Sequence, residues 1–137
     1  LVGIIRTASE MQDALERLEE VKQRATKISA PGPRQFNPGW HLALDLRNML
    51  LVCECITRAA LLREESRGGH TRDDFPQMSS HWRNVNLICA TSGDGIEVTR
   101  QPMVPMRPDL MALFGKDELK KYFTDEELVD LPEEATA

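Results

Sequence analysis

The sequence predicts a mainly α fold: a helical bundle over residues 1–82, a small β-hairpin with an extended segment over 83–108, and an extended acidic tail with short helices over 109–137. Three observations carry that reading. Two long segments repeat apolar residues at helical spacing, two β-rich runs flank a Gly-Asp-Gly turn, and the excess negative charge lies at the C-terminal end.

From Thr7 to Ile28, the residues Ala8, Met11, Leu15, Leu18, Val21, Ala25 and Ile28 recur at three- and four-residue steps and form one apolar stripe. Thr7 with Glu10 reads as a capping box, and Asp13 to Arg17 and Glu20 to Arg24 are i, i+4 pairs on the solvated face. Pro31-Gly32-Pro33 breaks this helix. Asn37-Pro38 starts a second one, with Asn as N-cap and Pro at the first helical position, where its missing N–H costs nothing. That helix is expected to run to about Ser66 and to be ended by Gly68-Gly69. Its apolar residues, from Leu42 through Leu62, cover nearly the whole circumference, so it is expected to be buried on most sides. The first helix cannot cover that surface alone, which implies partners in a longer chain or in another subunit.

His70 to Met78 is polar, is interrupted by Pro76 and reads as loop. Asn84 to Thr91 and Ile96 to Gln101 have strand composition and flank Ser92-Gly93-Asp94-Gly95, which is hairpin-turn chemistry. A lone hairpin is marginal in water and must pack on the helices. Pro102, Pro105 and Pro108 bar further strand pairing, so this segment is expected to run extended over the surface. Asp109 to Phe114 reads as a helical turn, and Thr124 with Glu127 as a capping box before a short acidic helix.

At 137 residues, 41% hydrophobic and 28% charged, the chain is one ordinary globular domain or a fragment. No apolar run is long enough for a membrane helix. Leu1 to Ile5 lacks the context of a secretory signal, so the chain reads as intracellular. The net charge of −5 divides unevenly: residues 1–115 carry 14 basic and 14 acidic side chains, and 116–137 carry 3 and 8. A neutral body with an acidic tail gives no electrostatic reason to bind nucleic acid or anionic lipid. Three cysteines argue against a disulfide framework. Cys53 and Cys55 point about 200° apart on a helix and cannot share a metal, and with Cys89 they read as small buried apolar residues.

The sequence holds no dinucleotide or phosphate cradle, no nucleophile elbow and no Glu-x-x-His pair, and the spacing of His41, His70 and His81 suits no metal. No catalytic, cofactor-binding or metal-binding residue is assigned. What remains is the polar segment Arg63, Glu64, Glu65, Ser66, Arg67, Gly68, Gly69, His70, Thr71, Arg72, Asp73, Asp74. Its arginines and carboxylates suit an ion-pair network that fixes how the helix end meets another domain. Composition alone favours a solvated helix terminus with a flexible turn, because surface charge clusters are common and weak.

The run from Arg63 to Pro76 resembles the R-x-E-S-R-G-[AG]-H-x-R-x-D-[FY]-P signature of the C-terminal helical domain of succinate dehydrogenase and fumarate reductase flavoprotein subunits, matching in type at fourteen consecutive positions. Gly3-Ile4-Ile5-Arg6-Thr7 resembles the family's G-[IV]-x-R-[TN] lead, and Asp45 to Leu50 its E-L-x-N-[ML]-[LM] stretch; Trp82 also fits. The resemblance covers about Val2 to Pro108, and the tail looks like that of actinobacterial members, whose succinate dehydrogenase is the nearest resemblance. L-aspartate oxidase and adenylylsulfate reductase are similar in architecture.

The resemblance implies a spectrin-repeat-like, truncated three-helix bundle, with a further helix expected before Gly3. It implies FAD in the full-length protein, bound by N-terminal flavin and capping domains, and a partner that is an iron–sulfur subunit. The segment here is then expected to be inactive alone, with Arg63, Glu65, Ser66, Arg67, Gly68, Gly69, His70, Arg72 and Asp74 as its inter-domain docking element. The complex is expected on the cytoplasmic face of the plasma membrane. A first residue that is not methionine favours a fragment, and the uncovered second helix is expected to drive self-association. The other readings are a free-standing helical interaction module and the same domain from L-aspartate oxidase.

Overall fold

The computed structural model describes residues 1–93 and 95–129; Asp94 of the hairpin turn and residues 130–137 of the acidic tail lie outside the described residues. Strand β1 (Ile5–Arg6) leads into helix α1 (Ala8–Ala25), and helix α2 (Pro38–Leu62) follows a proline-rich loop. Then come β2 (Thr71–Arg72), α3 (Ser80–Arg83), the hairpin β3 (Val85–Ser92) with β4 (Gly95–Pro102), and three short helices, α4 (Pro108–Met111), α5 (Lys116–Leu119) and α6 (Asp125–Val129). The fold is mainly α with a small antiparallel sheet.

Helix α1 starts where its capping box places it: the Glu10 amide donates to Thr7 Oγ1 at 3.4 Å, and the Thr7 amide donates to Glu10 Oε2 at 3.1 Å. Its apolar stripe buries Met11 and Ala14 against α2. Neither Asp13–Arg17 nor Glu20–Arg24 appears among the described ion pairs; Lys22 instead reaches across to Glu54, a buried carboxylate on α2 that also accepts from Arg58 Nε at 2.8 Å. Burial pushes the Glu54 carboxyl up, and the hydrogen bonds from Lys22 and Arg58 more than offset that and hold it below its ordinary value.

Helix α2 is capped by the Asn37 carboxamide oxygen, which accepts from the Gly39 amide at 3.0 Å. It ends at Leu62, four residues before the expected Ser66, and Gly68-Gly69 fall in a later turn. The expectation that α2 is buried on most sides does not hold. Leu42, Leu44, Met49, Val52 and Ile56 are half exposed or more, because α1 and the hairpin together cover only one side of it. Cys53 lies on that open side and is exposed, contrary to its reading as buried.

Strands β3 and β4 pair antiparallel from Val85↔Pro102 to Ser92↔Gly95 and pack on α2, as a hairpin of this kind requires. Inside the segment expected to be loop, β2 pairs parallel with β1, Ile5 opposite Thr71 and Arg6 opposite Arg72. The acidic tail is not simply extended. Leu119 of α5 and Phe123 are buried, and the Thr124–Glu127 capping box forms at the start of α6, with the Thr124 amide 2.8 Å from Glu127 Oε2.

Candidate functional site

The segment from Arg63 to Asp74 closes around two carboxylates, and the sequence itself dictates the turn at its tip. Arg67 and His70 exchange backbone hydrogen bonds of 2.8 and 3.0 Å, and Gly68 between them has φ +57°, a left-handed conformation that costs a residue with a Cβ. A Cβ at Gly68 or Gly69 would meet nothing within 4 Å, so both glycine backbones face open space. Ser66 holds the base of the turn: its Oγ accepts from the Arg72 amide at 2.8 Å and donates to the Phe75 carbonyl at 2.9 Å.

Glu65 is 0% exposed and takes four protein donors. Arg63 Nη1 lies 2.6 Å from Oε1, Arg67 Nε 3.2 Å from each oxygen, Arg67 Nη2 3.1 Å from Oε2, and the Ser79 amide 2.9 Å from Oε2. Burial pushes this carboxyl up, but the Arg67, Ser79 and Arg63 hydrogen bonds outweigh it and keep it below its ordinary value. The two arginines then radiate outward. Arg63 donates to the carbonyls of Trp82 (3.0 Å) and Val85 (2.9 Å), joining the turn to α3 and β3. Arg67 donates to the carbonyls of Ser79 (3.1 Å) and of Tyr122 in the tail.

Arg72, 1% exposed, meets Asp74 through two parallel contacts, Nε to Oδ1 and Nη2 to Oδ2, both 2.7 Å. Its remaining nitrogen, Nη1, donates to the carbonyls of Ala60 (3.0 Å), Leu61 (3.0 Å) and Arg63 (3.2 Å), which have no partner within α2. Asp74 Oδ2 also accepts from the Ala8 amide at 3.0 Å, at the first turn of α1. The Arg72 bond pulls the Asp74 carboxyl down to about 2.

His70 bridges the lead and the turn. Arg6 Nη1 is 2.8 Å from Nδ1, and the Arg63 carbonyl is 3.1 Å from Nε2. A guanidinium only donates and a carbonyl only accepts, so the ring is neutral with its proton on Nε2. Burial lowers the pKa of His70, and the charges of Arg6, Arg72 and Arg63 lower it further against the opposing pull of the Arg63 carbonyl. All nine residues singled out in the sequence therefore lie in one connected network or at its tip. The flexible solvated turn favoured by composition is not what forms, and among the described residues no buried side-chain nitrogen or oxygen lacks a partner. Arg6, Ser79, Trp82 and Tyr122 are the members that sequence reasoning did not place in the network. Arg6 and Trp82 had a signal, the first by its position in the Gly3–Thr7 lead and the second by its fit to the family pattern before the hairpin.

Comparison with known proteins agrees with this architecture. The fumarate reductase flavoprotein subunit from Helicobacter pylori is 38% identical over 95 residues, covering 68% of this chain and 13% of that protein. L-aspartate oxidase from Acinetobacter baylyi is 36% identical over 86 residues, covering 63% of this chain and 15% of its own length. The structure described as Mycobacterium smegmatis Sdh1 in complex with UQ1 superposes with a TM-score of 0.80 at 54% identity, covering 96% of this chain and 23% of that one. The chain thus spans less than a quarter of each of these relatives. The family model for the fumarate reductase flavoprotein C-terminus matches residues 1–111, and the chain belongs to that family.

Proposed function

We propose that this chain is the C-terminal docking domain of a flavoprotein subunit that oxidises succinate to fumarate, or runs the reverse reaction, at FAD and passes the electrons to an iron–sulfur subunit. The observation that carries the docking role is the hydrogen-bonded, exposed tip of the turn. The backbones of Gly68 and Gly69 stand open above a network in which Glu65 and Arg72 are fully enclosed. A preorganised surface loses little entropy when a partner is seated on it.

FAD belongs on the flavin and capping domains of the longer protein in this reading. Two observations support that placement: the donors of Arg72 are spent on protein acceptors, and the open depression beside Ile28, Pro31, Leu42 and Met49 is lined by apolar groups. The domain alone is inactive. A further helix of the longer protein covers the exposed side of α2 and completes a spectrin-repeat-like three-helix bundle; in its absence, that side drives self-association. No helix among the described residues is long and apolar enough to cross a membrane. In this reading the domain reaches the cytoplasmic membrane face through its complex. A second reading, the same domain in an L-aspartate oxidase, is favoured by the relative of that name.

Gly69→Tyr in the complete flavoprotein tests the docking role, since the position has open space and no left-handed backbone. The variant is expected to fold and bind flavin normally, to turn over more slowly and to co-purify with less of the iron–sulfur subunit. Normal assembly and turnover overturn the docking role.

A further inference from the structure

Cys55 sits half-buried on α2, and Cys89 sits half-buried on β3, the strand packed against it. Val85, Leu87 and Cys89 alternate with exposed residues, so Cys89 is on the face of β3 turned toward the helix. Its thiol donates to the Cys55 carbonyl at 3.7 Å. Cys53, two positions earlier on the helix, is on the exposed side.

The geometry points to Cys55 and Cys89 as a redox site: a dithiol that a hydroperoxide converts to a disulfide joining α2 to the hairpin. The two residues are 34 positions apart, and the loop they would close contains the whole segment from Arg63 to Pro76 together with Trp82. The bond would clamp the docking turn at both of its roots. It would restrict the open and locally unfolded states of the turn more than its native contacts.

Burial pushes the Cys89 thiol up, and the neighbouring Cys55 thiol adds to this, which disfavours Cys89 as the first attacking group; the proposal gives that step to Cys55. The Cys55 thiolate attacks the terminal oxygen of the hydroperoxide, the O–O bond breaks, and the leaving alkoxide or hydroxide takes up the proton that the Cys55 thiol released, giving a sulfenic acid and alcohol or water. The Cys89 sulfur attacks that sulfur, the S–O bond breaks, and the hydroxide departs as water with the Cys89 proton. Two electrons pass from the sulfurs to the peroxide, and the hydroperoxide is the co-reactant throughout.

The test is mass mapping of the complete protein under non-reducing conditions, before and after hydrogen peroxide. The expected result is a linked pair of peptides containing Cys55 and Cys89, two hydrogens lighter than their sum and separated by dithiothreitol. Both cysteines should lose alkylation together, and amide exchange across Arg63–Pro76 should slow. Cys89→Ser should leave Cys55 as a trapped sulfenic acid, and Cys53→Ser should form the linkage as before. Oxidation that stops at sulfinic acid in wild-type protein, a linkage through Cys53, or full alkylation of both thiols after peroxide overturns the proposal.

Discussion

Arg72 and Asp74, two residues apart, form a bidentate pair that ties the C-terminus of α2 to the N-terminus of α1: the guanidinium takes the last carbonyls of one helix and the carboxylate takes the Ala8 amide of the other. Each charge complements the end of the helix dipole it meets. The two helices therefore run antiparallel, and the short parallel pair of β1 with β2 places the arginine in register to do this. Arg72→Ala is expected to cost about 3 kcal/mol, because it removes a buried guanidinium, leaves the Ala60 and Leu61 carbonyls without it and takes from Asp74 its paired charge. Urea unfolding should show a lower midpoint with an unchanged slope. A loss under about 1 kcal/mol contradicts the bridging role.

Acid should unfold the domain in two stages. His70 is depressed in the folded state, so the unfolded chain binds its proton first, and stability falls as pH drops through and below the ordinary histidine value of 6.5. Asp74 is lowered from 3.8 to about 2, so its contribution is complete above pH 4 and is lost as pH falls from there toward 2. In a urea-midpoint profile against pH, His70→Gln should remove the upper slope and leave the lower one. Asp74→Asn should reduce the lower slope, the remainder coming from the depressed carboxyls of Glu54 and Glu65, and leave the upper.

The two glycines at the turn tip should respond differently to the same change. Gly68→Ala forces a Cβ into a backbone with φ +57° and is expected to cost about 1 kcal/mol. Gly69→Ala has open space and no positive φ, and is expected to be neutral or slightly stabilising through the unfolded chain. Paired thermal melts decide it, and equal effects would show that the turn is not held in this conformation.

The long elements were legible because each rests on local chemistry. Thr7–Glu10 and Asn37–Pro38 mark helix starts whatever lies around them, and Ser92 to Gly95 marks a hairpin in the same way. What was not legible depends on residues distant in sequence. The end of α2 moved to Leu62 because Arg72, far along the chain, takes its final carbonyls, a contact that no helix-stop rule contains. Strand β2 is two residues long and has no periodicity to read. Of the site, the residue set was visible as a charge-dense run around a glycine pair. Its enclosure was not, because burial of Glu65 depends on the Ser79 amide and on both arginines turning inward.

The tail shows the same dependence on distant contacts, and it can be tested directly. Arg83 reaches it twice, with its guanidinium 3.3 Å from the centre of the Phe123 ring and Nη1 3.2 Å from Glu127 Oε1, while Arg67 donates to the Tyr122 carbonyl. Phe123 and Leu119 are the buried apolar anchors of a segment whose other side chains are mostly charged and solvated. A short acidic helix has little stability of its own, so its order depends on those anchors. Phe123→Ala removes a buried ring and a cation–π partner at once, a loss of about 3 kcal/mol. Because α1, α2 and the hairpin do not depend on the tail, that loss should appear as local opening and leave global unfolding unchanged. Amide exchange at Phe123 and Leu128 is expected to rise roughly 100-fold, with Met11 and Ile88 unaffected. Glu127→Gln keeps the ring and weakens only the ion pair and the cap, so its effect should be several-fold smaller. Equal effects from the two variants would place the anchor in the charge pair and not in the ring.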